Sequence, residues 1–535
     1  MKSSFVTPVC LALLIFTHPG LSASYYVAPT GRDTNLGTLD NPFLTAQKGI
    51  NTAQAGDIVH LRPGIYAENL ATARDGKPGS PIIIDGGNAA TIRRFTVRHA
   101  QIVLRNTTIT GVTNTWSTLV YLDRGAHFFV LSNNVLDMAM ARSVCGIQWR
   151  PPAIKPFGNG DAASDGLIIS NIIRNGLAYP MLTVQGDRNL IVGNQLLNGG
   201  SIDFLHLFGR SNVFRSNICS NNYFVPNVGF HADFVQTFGN SGVGSMGHII
   251  ENNLVTDIEK GQLSQLEGSL IPEIRDWTFR NNIFIDIAAT ANCSIPGVKY
   301  YNNLFYRCNK DSGHALNFGS RAYNTRMVSS GGIESGKDYA VTSQGGESSI
   351  TYMGTTYKNG ASFSGGADKT FQVVGDAQVY LQEFNRANGA RVFNNVFLEC
   401  GDSRTNVGWY AIKTNLVDVA ADYNYVAKSG FSPVRVDPLR RVIGSSSGWH
   451  YMNMFWWEPN GINGGDPGLA NVSREDFRLN ARSILIDAGL ALGSAPYDRE
   501  FITRPQGNSA DIGPFEHYQD LSLRPQAPSN LRIIP

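Results

Sequence analysis

The chain has 535 residues, 16% of them charged and 42% apolar. So little charge beside an ordinary apolar share excludes a disordered chain, and a net charge of +2 gives no electrostatic reason to bind nucleic acid. Glycine, at 56 residues, exceeds its usual share of about 7%, which suits a β-rich protein with many tight turns.

Residues 1–23 have the layout of a secretory signal peptide. Lys2 precedes a short apolar core from Val9 to Phe16, then Pro19-Gly20 and the small pair Ser22-Ala23, with cleavage expected after Ala23. The apolar stretch is too short to span a bilayer, and no later run reaches the roughly 18 residues that spanning needs. The expected location is extracellular or periplasmic. The remaining cysteines, Cys145, Cys219, Cys293, Cys308 and Cys400, are odd in number. Cys293 with Cys308 is one possible disulfide, and buried free thiols are the other reading.

Next comes an extended Tyr25-Tyr26-Val27 and a polar loop. An amphipathic helix follows over Thr45–Gln54, then a strand over Asp57–Arg62 stopped by Pro63-Gly64. Such a helix would cover the open end of a repeat array. The array itself follows. Phrases such as LSNNVLD from Leu131, IVGNQLLN from Ile191, IIENNLVTD from Ile249, FRNNIFID from Phe279 and FNNVFLE from Phe393 set one or two Asn between short apolar runs. Their spacings, many of about 20–30 residues, are those of a solenoid. One coil cannot bury its apolar face alone, so coils must stack. Asn accepts the left-handed backbone of a sharp corner and bonds to Asn above and below. The fold class expected is all-β, a right-handed parallel β-helix with an N-terminal helical cap.

The divisions expected are cap and main coils over 24–328, a β-rich insertion or long loop over 329–374, further coils and a closing segment over 375–519, and a tail over 520–535. The insertion is rich in Gly, Ser and Thr, with alternating Tyr, Thr and Phe that suit antiparallel strands.

Three coils carry the densest reactive chemistry: SIDFLHLFG from Ser201, HADFVQTFG from His231 and KGQLSQLEG from Lys260. Stacked without gaps they give three rows: Ser201, His231 and Lys260; Asp203, Asp233 and Gln262; His206, Gln236 and Gln265. Neighbouring coils lie about 4.8 Å apart, so each row is a line of touching side chains. By strict alternation, a three-residue offset puts the His206 row on the face opposite the Asp row. Core hydrogen bonding is then the plain reading of His206, Gln236 and Gln265. A second, earlier cluster is Gln148, Trp149 and Arg150, ahead of a long loop from Pro151. Arg280, Lys299 and Arg307 would extend a positive track, and Tyr223, Trp277, Tyr300 and Tyr301 are aromatic candidates for stacking on sugar rings.

The segments SYYVAPTGRDTNLGT and REDFRLNARSILIDAG, with the Asn coils between them, resemble secreted parallel β-helix polysaccharide lyases of the pectate- and alginate-lyase type. HADFVQTFG is similar to an H-x-D-x-x-Q segment of such enzymes and of phage-type depolymerases, which falls on His231, Asp233 and Gln236. The resemblance implies cleavage of an anionic polysaccharide by β-elimination. That reaction needs a base for the proton beside the sugar carboxylate, neutralisation of that carboxylate, and a proton for the leaving oxygen.

His231 is the preferred base, with Lys260 as the alternative. Asp233 and Gln236 complete the catalytic set. Asp203 and Asp233 are the expected ligands of a Ca²⁺ ion. Arg210, Arg215, His206, Gln265, Glu267, Trp149 and Arg150 are the expected substrate contacts. Two other readings stand beside this one. A glycoside hydrolase would use Asp203 with Asp233, or a wider pair including Glu267. A non-catalytic β-helix adhesin needs none of this chemistry. No feature points to a particular oligomer.

Overall fold

The computed structural model describes residues 22–112, 117–150, 162–228, 232–239, 243–268, 273–289, 291–310, 314–401, 410–414, 419–427 and 458–518. Residues 1–21 of the expected signal peptide, the tail 520–535, His231 and most of the loop from Pro151 lie outside them.

Each coil contributes three short strands. The coil starting at Leu190 shows the pattern: Leu190–Val192, Gln195–Gly200 and Leu205–Leu207. Each strand pairs in parallel with its counterpart one coil on, at Val213–Arg215, Ile218–Tyr223 and Val235–Thr237. Repeated along the chain, these pairings build three parallel sheets round one apolar core, a right-handed parallel β-helix. The strands are short because each ends at a corner, and alternate residues within them point into the shared core.

The corner between first and second strands is built by adjacent polar residues with divided tasks. In Asn252-Asn253 the first residue takes the left-handed conformation, φ 58°. The second, fully buried, joins a ladder. The backbone N–H of Asn253 and its side-chain amide both donate to Oδ1 of Asn282, at 3.0 and 2.9 Å. The same backbone link runs through Asn134, Asn171, Asn194, Asn217, Asn253, Asn282, Asn303, Asn395 and Asn424. It ends on Glu458, whose carboxylate receives both donors of Asn424. Burial raises the Glu458 pKa to about 8.

The helical part of the N-terminal cap is one short helix, Ala46–Thr52, with the Thr45 hydroxyl accepting from Lys48 N–H. Gly49 is required there: a Cβ would stand 2.8 Å from Val59 and 2.9 Å from Val27. An antiparallel unit interrupts the coils. Ser320–Val328 pairs with Gln378–Arg386, and Asp338–Thr342 with both Gln378–Arg386 and Ser362–Ser364. It has its own core of Val328, Ile333, Tyr339, Val341 and Ile350, among others. The unit leaves the third sheet after His314–Phe318 and returns to the first sheet at Arg391–Phe393.

The closing segment lies along the side of the solenoid. Phe477, Leu485 and Ile512 cover Ile283, Ile285, Leu304 and Val396 on the outer face of the second sheet. The left-handed Asn residues of the later corners anchor it. Asn281 donates to Tyr497 O, Asn302 to Asp511 O, and Asn394 both donates to and accepts from the Leu490 backbone. All five described cysteines are buried free thiols, so Cys293 and Cys308 are not bridged.

Candidate active site

The third sheet carries one polar row on its outer face. Tyr121, Gln148, Thr183, His206, Gln236, Gln265, Asn292 and Asn317 are successive register partners. The flanking Leu205 and Leu207 point into the core, so His206 between them faces out.

The expectation that the Asp row lies on the opposite face from His206 is wrong. Asp203 is not part of a strand. The chain turns between it and Leu205, and pleat alternation does not carry through a turn. Asp203 Oδ2 therefore reaches His206 Nε2 at 2.6 Å. The other oxygen of Asp203 accepts the backbone N–H of Asp233 at 2.8 Å. Asp233 Oδ1 accepts in turn from Gln262 N at 2.9 Å. These carboxylates thus tie one coil to the next, as the Asn ladder does at the other corner. Phe208 and Phe238 stand edge-on to the His206 ring, with centroids 6.4 and 5.5 Å away. They wall one side of it with apolar surface.

On the next coils, Gln265 Nε2 donates to Glu267 Oε1 at 2.5 Å. Asn292 donates to Gln262 Oε1, and Asn317 to Asn292 Oδ1, both at 2.7 Å. Sequence reading missed the Asp203–His206 pair and this amide relay. The pair required the geometry of the turn, whereas Asn292 and Asn317 were findable by extending the stacked alignment two more coils.

The remaining expected site residues fall elsewhere. Lys260 is exposed, with Nζ 4.3 Å from the Phe224 ring centroid, and no contact joins it to His206 or Asp233 among the described residues. Trp149 is fully buried and gives its indole N–H to Ala163 O at 2.8 Å, so it packs the core and does not reach a groove. Arg215 is on the first sheet, away from the His206 row, where it and Arg280 flank Glu251 at 2.5 and 2.6 Å. Arg210 pairs with Asp187 at 2.9 Å at the edge beyond the third sheet. Arg150 pairs with Asp123 at 3.1 Å. Of the aromatic candidates, Trp277 and Tyr300 are fully buried and Tyr301 nearly so. Arg307 is held by Asp286.

The Asp203–Asp233 pair does not fit a Ca²⁺ site. Both Asp203 oxygens are engaged, and Asp233 is fully buried with one oxygen on the Gln262 N–H. Among the described residues no group of three metal-ligating side chains assembles, whereas Ca²⁺ takes six to eight oxygens. Asp233 is fully buried, which does not suit a hydrolase nucleophile or base.

No family model matches the chain. An uncharacterised protein, YwoF, of Bacillus subtilis (strain 168) is 42% identical over 57 residues, 11% of this chain and 12% of that protein. A pectate lyase, PEL9, of Emericella nidulans is 33% identical over 66 residues, 12% of this chain and 16% of that protein. The chain thus matches well under a fifth of either relative. Among solved structures, pectate lyase Pel9A aligns over 93% of this chain and 97% of its own, with TM-score 0.39 and 13% identity. XylC in complex with xylose aligns over 92% and 98%, with TM-score 0.46 and 12% identity. The alginate lyase AlyGC aligns over 76% and 48%, with TM-score 0.39 and 10% identity. Likenesses this distant assign no activity. Among the described residues, no helix is long and apolar enough to cross a membrane.

Proposed function

We propose that this chain is a secreted enzyme that cleaves an acidic polysaccharide by β-elimination along the outer face of its third sheet. The observation that carries the reading is the Asp203–His206 pair, 2.6 Å apart, on a continuous row of outward polar side chains. A polymer can lie along such a row, because the coils repeat at about 4.8 Å without interruption.

His206 is the base. His206 Nε2–H donates to the Asp203 carboxylate, which leaves Nδ1 as the free lone pair, with the ring held edge-on to Phe208 and Phe238. Nδ1 removes the proton on the sugar carbon beside the carboxylate. The electron pair forms the new double bond as the bond to the leaving oxygen breaks, and the imidazolium is the proton source for that oxygen. Asp203 stabilises the imidazolium formed in between. Gln236, next in register and only 8% exposed, offers an amide donor to the sugar carboxylate, whose charge grows in the transition state. His231, two residues before Asp233, is the competing base, and the same experiment ranks the two.

The test is appearance of the ultraviolet-absorbing unsaturated sugar end on acidic polysaccharides, for the whole chain and for His206→Ala and His231→Ala. His206→Ala is expected to lower kcat by about 10²–10⁴-fold, the usual contribution of a general base. Full activity in His206→Ala would remove this assignment. New reducing ends without unsaturation would remove the elimination reading altogether.

A further inference from the structure

The two directions along the row from His206 carry different chemistry. Toward the N-terminus the row passes Thr183 and Gln148 to Tyr121. Burial raises the Tyr121 hydroxyl above its ordinary range and Asp123 adds to this, while the guanidinium groups of Arg150, Arg124 and Arg94 oppose it. Arg94 Nε is buried with no partner among the described residues. Arg94 stands two residues before Thr96, the register partner of Tyr121. Three coils separate Tyr121 from His206, about 14 Å at the usual strand spacing. That end of the row is suited to an anionic group.

Toward the C-terminus the row runs through four uncharged amides, Gln236, Gln265, Asn292 and Asn317, before its register reaches Lys413. The Glu267 carboxylate needs a donor, which orients the Gln265 amide with Nε2 on Glu267 and Oε1 turned away. That Oε1 is buried and has no partner among the described residues. A buried acceptor calls for a donor. A sugar hydroxyl is a donor. A sugar carboxylate is not, and it would stand beside Glu267. Asn317 Oδ1, two coils further, is likewise a buried acceptor without a described partner.

We propose that Gln265, oriented by Glu267, is the specificity-determining residue of a neutral-sugar subsite on the C-terminal side of the His206–Asp203 pair. The groove then takes a mixed glycan, with an acidic sugar toward Tyr121 and a hydroxyl-bearing neutral sugar at Gln265. This rests on the reading of the third-sheet row as the polymer groove.

Binding is measured separately from cleavage, so the two proposals fail separately. Retardation of the whole chain in gels is compared between uronate homopolymers (polygalacturonate, alginate) and alternating polymers of uronate and neutral sugar (rhamnogalacturonan, hyaluronan). At least one alternating polymer is expected to bind about tenfold more tightly than either homopolymer, the worth of one well-placed hydrogen bond. Gln265→Leu, which removes the acceptor, is expected to abolish that preference while leaving the affinity for the homopolymers as in the wild type. Gln265→Glu, which sets a like charge beside Glu267, is expected to abolish it with a lowered thermal melt. Arg94→Gln is expected to weaken all the acidic polymers alike. Equal binding of both polymer types, binding of neither, or a preference that survives Gln265→Leu overturns the proposal. Preferential binding without unsaturated products overturns the elimination reading and leaves this subsite standing.

Discussion

Asp203 has a separate task for each oxygen: one accepts the Asp233 N–H and the other holds His206. Asp203→Asn separates the two. Its Oδ1 still accepts from Asp233, so the coil contact survives. Its amide, however, presents a donor to His206 Nε2, which forces that nitrogen to become the acceptor and moves the ring proton to Nδ1. The base is then protonated where it must be free. We expect a kcat loss of about 10²-fold or more with little change in KM or in the melting temperature. A melting temperature that falls with activity would mean a structural role only. Removing Ca²⁺ with a chelator is expected to leave the rate unchanged, because Asp203 and Asp233 are already engaged. A chelator-sensitive rate that added Ca²⁺ restores would refute this. Which residue types gather on these three coils was legible in the sequence. That His206 meets Asp203 was not, because strict alternation placed them apart and only the turn brings them together.

The Asn corners show how far one element repeats a single solution. Asn282 Oδ1 receives two donors from Asn253, and its own amide reaches Ile250 O and Asn303 Oδ1. Asn282→Ala leaves buried donors on Asn253 unpaired, at a cost of about 2–3 kcal/mol. Asn281→Gly, at φ 54°, keeps the corner and loses only the contact to Tyr497 O. It is expected to cost about 1 kcal/mol or less. Chemical denaturation of the two variants checks the order, and equal costs would show that the ladder is not the stabilising element. The Asn pairs were plain in the sequence, as was the likelihood of side-chain stacking. The division between a left-handed first Asn and a laddered second one was not, since both look alike until the backbone is traced.

At the scale of the whole molecule, stability at acid and at alkaline pH is limited by different buried groups. His248 takes the place of an Asn in a second ladder, with Nδ1 accepting from Asn212 N at 3.2 Å. It is fully buried, and burial lowers its pKa to about 3. The unfolded chain therefore binds a proton below about pH 6.5 that the folded chain refuses, and stability falls as pH drops through that window. By pH 5 the loss is about 2 kcal/mol from this group alone. Glu458 at the ladder's end and Glu516 in the closing segment act with the opposite sign. Burial raises their pKa values to about 8 and about 7, so the folded chain holds protons that the unfolded chain releases. Their effect is lost stability as pH rises from the ordinary carboxylate range to those values. His248→Asn restores the ladder residue and is expected to flatten the acid limb of melting temperature against pH while leaving the alkaline limb as it was. An unchanged acid limb would place the titrating group elsewhere.

The solenoid was readable from the sequence because its physics is local and repeated. A run of alternating apolar residues, a polar corner and another run describe one coil, and each coil makes nearly the same bonds to its neighbours. The core phenylalanines and the corner Asn residues follow from that period alone. Tertiary structure decided whatever depends on departures from it. The closing segment reads as an end piece by its place in the chain, yet it lies along the second sheet because later corner Asn residues face outward and anchor it. Trp149 reads as a groove aromatic and is core, whereas His206 reads as core and faces out; both follow the alternation of their own strands, and what the turn decides is that Asp203 comes to the same side as His206. Periodicity is written in residue spacing, but the direction in which a turn delivers a side chain is fixed only when the coils are stacked.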